Sequence, residues 1–182
     1  RPVSGGPRQP DIFRDGEARG LPTRTFRNRL SVGSGPGRVE LRYFGRAHTG
    51  GDTWVFFPEL SAVHCGDLFA HKAVPPLDLN NGASGLEYPR TIASALPAVA
   101  GMQTVITGHY HRVLELTDLE TYGVFVRSFV EAVQAAKRAH GTIEGFVESW
   151  RIPDRFLDEG YVDFSHLRSI RADVEAIWNE TP

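Results

Sequence analysis

The chain has 182 residues, 41% of them hydrophobic and 23% charged, and a formal net charge of −2. That length and composition fit one domain with a real core. The charge balance gives no basis for nucleic acid or an anionic membrane as a partner. No apolar run approaches the ~20 residues of a membrane span, and the lone Cys65 excludes an internal disulfide.

Residues 1–20 are rich in Arg, Gly, Pro and Asp without a clear period, and read as a flexible N-terminal segment. A short strand is expected around residues 23–26, followed by a turn at 33–37, GSGPG. Residues 39–44, VELRYF, alternate apolar and polar side chains like a half-buried strand. Residues 53–57, TWVFF, form a second strand closed by Pro58, and 60–65 a third closed by Gly66. The turn between them is short enough for a hairpin. Residues 72–86 make a long Pro- and Asn-rich loop, and loops of that length are often functional.

Residues 88–99 read as a helix with Pro89 in its first turn, where proline is tolerated. A short buried strand follows at 104–107. The spacing of Thr117 and Glu120 predicts a capping box. Tyr122, Val126, Phe129, Val130 and Val133 then recur at helical spacing up to Gly141. Ile143, Phe146, Val147 and Trp150 form a second stripe. Leu167, Ile170, Val174, Ile177 and Trp178 form a third, with Ser165 as its N-cap. Strands followed by helices indicate an α/β class with a helical C-terminal tail over 117–182.

Three turns at strand ends carry residues that ligate metals. His48 follows the VELRYF strand in a Gly-rich turn, where it either faces a cleft or sits as a surface-loop histidine. Asp67 follows the third strand and Gly66, either at the ligand-binding end of a sheet or in an Asx turn. His109 and His111 lie two apart after the 104–107 strand, so both share a face in an extended segment. One of them alternatively pairs with a backbone carbonyl. The cluster HCGDLFAH, residues 64–71, matches no structural zinc spacing, which makes Cys65 a small buried hydrophobe. His64 and His71 then face solvent or are satisfied in the core, and His140 and His166 point to water.

Taken in order, HTGGD at 48–52, GD at 66–67 and GH at 108–109 resemble the second half of a metallo-β-lactamase superfamily domain over residues 21–116. The wording is similar to the broad group of MBL-fold metallo-hydrolases rather than to the true β-lactamases. The resemblance implies a four-layer αββα sandwich, of which this chain supplies one sheet and its helices. It also implies a zinc-dependent hydrolase in which a metal-bound hydroxide attacks an ester, thioester, amide or phosphoester of a small-molecule substrate.

By the same resemblance, His48 completes the first zinc site, Asp67 bridges the two metals as the catalytic carboxylate, and His109 binds the second zinc. Asp52 holds the His48 turn. Lys72, Asn80, Asn81 and His111 lie where substrate specificity resides. Iron or manganese suits the same ligands.

The superfamily's HxHxDH motif is absent; His109-Tyr110-His111 continues as Arg112-Val113-Leu114. Catalytic zinc takes three protein ligands and a water, so this chain alone is expected to be inactive. Its only methionine is Met102 and it opens on Arg1, which suggests processing or a start partway through a gene. No signal peptide is legible, and a periplasmic, secreted or cytoplasmic bacterial location stays open. The competing reading is a non-catalytic half-domain that self-associates or binds a partner through its open sheet face or its helical tail.

Overall fold

The computed structural model describes residues 24–163 and 169–182. Five strands build one sheet: β1 (Arg29–Val32), β2 (Val39–Arg42), β3 (Trp54–Phe57), β4 (Ala62–His64) and β5 (Thr104–Ile106). They lie side by side in chain order. The first three pairings are antiparallel, and β4 pairs with β5 in parallel. A parallel pair cannot be closed by a tight turn. Here the link is the long loop followed by α1 (Tyr88–Val99). The result is a mixed α/β fold, completed by α2 (Leu116–Arg138), α3 (Ile143–Ser149), α4 (Asp154–Asp158) and α5 (Arg171–Glu180).

The period-two pattern in the strands sets which face is covered. Trp54, Phe56, Val63 and Val105 are buried and share one core with Tyr88, Ile92 and Val99 of α1 and with Tyr122, Phe125 and Phe129 of α2. Sheet and helices therefore stand or fall together. The opposite face carries Leu30, Leu41, Val55, His64 and Ile106, paired in a single row across all five strands and only half-buried.

Two local expectations are corrected. The first strand begins at Arg29 rather than around residues 23–26; residues 24–26 are irregular, and Thr23 lies outside the described residues. Pairing Leu30 with Leu41 decides this register, and such a choice depends on the partner strand. The capping box of α2 is made by Glu115 and Asp118, not by Thr117 and Glu120. An antiparallel bridge between Val105 and Leu114 holds the chain extended up to that point, so the helix starts at Leu116. The expected N-cap Ser165, with His166 and Leu167, lies outside the described residues. His140 is exposed just past α2, in a left-handed conformation with φ 57°.

Lys72 is drawn inward. Its Nζ lies 2.6 Å from Asp118 Oδ1 and donates to the Glu159 carbonyl at 3.0 Å, with only 9% of the side chain exposed. It ties the long loop to the start of α2 and to the chain after α4. Removing one partner of a buried pair leaves the other uncompensated, so such a contact holds a geometry even where its net stabilisation is small.

Candidate metal centre

β2, β4 and β5 point the same way, as their pairings require. The turns that follow them therefore gather at one end of the sheet, and they carry His48, Asp67 and His109. In parallel α/β sheets ligands bind beyond the carboxyl ends of the strands, and β2, β4 and β5 bring three such ends together here.

The His48 turn is held from three sides. Gly45 has φ 140°, and a side chain there would strike the Thr91 hydroxyl, which donates to the Arg46 carbonyl at 2.7 Å. Glycine is required at this position both for its backbone angle and for space. The Asp78 N–H donates to the His48 carbonyl at 2.9 Å, and the Gly50 N–H donates to the Asn81 carbonyl at 2.8 Å. Asn81 thus staples the long loop to the turn through its backbone, and its side-chain amide donates to Asp78. Asn80 is exposed beside it. The Asp52 carboxylate accepts from the Thr49 N–H at 2.9 Å and from its hydroxyl at 2.7 Å, and lies 3.4 Å from His48 Nδ1.

This contact orients the imidazole. With Nδ1 directed at Asp52, Nε2 faces Asp67 Oδ2 at 4.0 Å. A carboxylate behind a histidine in this way fixes its tautomer and ring direction. Asp52 raises the His48 pKa above its ordinary value through that hydrogen bond; burial opposes the shift, and the charges of Asp52, Asp67 and Asp78 add to it. A raised pKa means that the protonated ring stabilises the fold below the unfolded value, and that this contribution fades as pH rises through the folded value. Asp52→Asn is expected to bring the His48 pKa down, because burial then acts with less opposition. An NMR pH titration of the imidazole signals reads this directly, and an unmoved midpoint would contradict the contact.

Asp67 sits in a tight turn, Gly66–Phe69, whose first residue has φ 55°. The Gly66 N–H donates to His64 Nδ1 at 3.0 Å, so His64 serves as a clamp on this turn. Asp67 lies in the first turn of this segment. Its oxygens face two histidines: Oδ1 lies 3.0 Å from His109 Nε2, and Oδ2 faces His48. His109 is placed by its own N–H, which donates to the Ala70 carbonyl at 2.8 Å, and its side chain is 70% exposed.

The neighbours complete the setting. Tyr110 lies edge-on to His71, with centroids 4.7 Å apart, and 5.0 Å from the exposed His111 ring. Burial lowers the His71 pKa, and the nearby His111 and His109 add to that. Burial pushes the Cys65 thiol far up, which makes it inert.

One residue that sequence reasoning missed is Tyr88. Its hydroxyl donates to the Leu68 carbonyl at 2.7 Å, deep in the core, and so braces the turn that presents Asp67. Nothing in its sequence context distinguishes it from an ordinary helix-start aromatic. Glu180 is a second such residue. It accepts from the Ser84 hydroxyl at 2.8 Å and from the Gly85 and Leu86 N–H groups, pinning the long loop to α5.

A divalent cation sets a distance and a number that this donor set must meet. Two ligands at about 2.0–2.2 Å from a tetrahedral zinc lie about 3.4 Å apart. The separations of 4.0 Å and 3.0 Å around Asp67 fall on either side of that value. The chemistry of the donors suits such an ion, but their number does not. Among the described residues no group of three or more His, Cys, Asp or Glu is placed to hold a metal. His48, Asp67 and His109 by themselves do not close a ligand shell.

No family model matches the chain, and no curated protein matches it. Solved structures do. DIM-1 metallo-β-lactamase matches at 22% identity over 56% of this chain and 46% of its own, with a TM-score of 0.45. DIM-1 exposed to ceftazidime matches over 56% and 45%, with the same identity and score. TMB-1 matches at 19% identity over 58% of this chain and 48% of its own, with a TM-score of 0.50. Over that part this chain has a metallo-β-lactamase fold. It spans about half the length of the solved structures it matches. At these identities the likeness concerns the fold, and fold alone does not carry an activity.

Proposed function

We propose that the chain is one half of a metal-dependent hydrolase and contributes His48, Asp67 and His109 to its metal centre. The observation that carries this reading is the facing of both imidazole Nε2 atoms onto separate oxygens of one carboxylate, at the carboxyl end of the strands. Asp52 behind His48 is the supporting group such a ligand needs. The remaining ligands come from protein packed on the half-buried row from Leu30 to Ile106, where a second sheet would complete a sandwich. The bond hydrolysed is an ester, thioester, amide or phosphoester, and zinc is the expected metal.

Metal content by elemental analysis, taken with mass in solution, tests this. The isolated single chain is expected to retain well under one equivalent of zinc after dialysis. A completed domain is expected to retain about two, and to lose them when His48, Asp67 and His109 are all replaced by alanine. Stoichiometric zinc that survives the triple substitution would overturn the assignment.

A further inference from the structure

At the same end of the sheet, a groove of about 520 Å³ opens beside the His48 turn. It is lined by Arg24, Phe26 and Arg27, by Tyr43 just after β2, and by Gly50 and Gly51 of the turn itself. The topology explains the placement. β1 runs antiparallel to β2, so the segment leading into β1 lies where β2 delivers His48. The Tyr43 N–H donates to the Asn28 carbonyl at 3.0 Å and fastens the two together.

Charge in this groove is one-sided. No Asp or Glu is among its lining residues. Neighbouring arginines are matched, Arg42 with Glu40 and Arg46 with Glu87, each at 2.7 Å. Arg24 and Arg27 are exposed and have no carboxylate partner among the described residues. Of the carboxylates whose charge reaches Tyr43, Glu87 is paired with Arg46, and Asp52 is turned into its own loop and taken up by Thr49 and His48. Burial first, then the charges of Glu87 and Asp52, keeps the Tyr43 phenol protonated and able to donate. A guanidinium offers a planar fork of N–H donors that matches the two oxygens of a carboxylate or phosphate.

We propose that this groove is an anion subsite, in which Arg24 and Arg27 take a carboxylate or phosphate borne by the substrate while its remainder reaches toward His48, Asp67 and His109. The link to substrate rests on the function proposed above; the anion site stands without it.

Titration of the ¹⁵N-labelled protein at constant ionic strength tests the site, with inorganic phosphate and acetate as separate probes and chloride as control. The Gly50 and Gly51 amide signals are expected to move saturably with phosphate or acetate and to stay put with chloride. Preference for phosphate assigns a phosphorylated substrate, and preference for acetate a carboxylate; either supports the site. In the Arg24→Ala, Arg27→Ala double variant the apparent Kd is expected to rise at least about ten-fold, and in Arg27→Lys by less, since charge remains but the fork is lost. Both arginines are exposed, so the variants are expected to keep a dispersed, folded spectrum. Wild-type signals that do not saturate with either anion, or shifts unchanged in the double variant, would overturn the proposal. Zinc content reads His48, Asp67 and His109 instead, so failure of either idea leaves the other measurable.

Discussion

Phe125→Ala is expected to destabilise the protein by about 3–5 kcal/mol, the range for deleting a buried aromatic ring. Phe125 is fully buried on α2. Its ring lies 5.0 Å from that of Phe156 and 4.5 Å from that of Tyr161, so it joins α2 to α4 and to the segment that follows. The same helix packs on α1 and β5, and the helix pair covers the sheet. A cavity there therefore loosens the helical layer against the strands that present the three candidate ligands. Total stability of a domain is about 5–15 kcal/mol, so this one change removes a large share of it. Urea denaturation followed by circular dichroism reads the loss as a lower midpoint. Phe125→Leu keeps most of the volume and is expected to cost less than about 1.5 kcal/mol. Equal losses in the two variants would mean that the ring does not fill the core as described.

Gly108→Ala acts at the centre itself. A side chain at this position would collide with Asp67 Oδ1 and would stand 3.0 Å from the Gly66 carbonyl carbon and oxygen. Those are backbone atoms of the turn that presents Asp67, so they cannot rotate away as a flexible side-chain tip would. The Gly108 N–H also donates to the Phe69 carbonyl at 3.2 Å, which holds the two turns together. The Asp67 carboxylate is the part free to move, and moving it breaks the 3.0 Å contact with His109 Nε2. The expected result is a His109 ring whose nitrogen signals match a solvated imidazole, together with an overpacking cost of about 1–3 kcal/mol. Nitrogen-detected NMR of the histidine rings measures the first effect, and urea denaturation the second. Ring signals identical to the wild type would show that Asp67 has room that the geometry denies it.

The contrast between Lys72 and Asp52 shows how far sequence alone reaches. Asp52 follows His48 within one turn, and its contacts with Thr49 and His48 are local, so proximity in the chain was a sound guide to its place. Lys72 belongs to the same long loop as Asn80 and Asn81, yet its charge is bound to Asp118 on α2 and to the Glu159 carbonyl. Its partners lie far along the chain, and no local pattern announces them. Tyr88 is a similar case, because its value lies in one carbonyl of a distant turn.

Local patterns in the sequence determined the element types, the alternation of the strands and the order of the three ligand-bearing turns, because each depends on neighbours within a few residues. They also determined that two of the three candidate ligand residues directly follow a glycine at a strand end, where the chain can turn sharply. Only the tertiary structure decided that β2, β4 and β5 run in the same direction and bring those turns together. It alone decided which carboxylate oxygen faces which imidazole, and that Arg24 and Arg27 flank the His48 turn. These are relations between segments distant in the chain. Strand register and the packing of helices on one sheet face set them, and no window of sequence contains either.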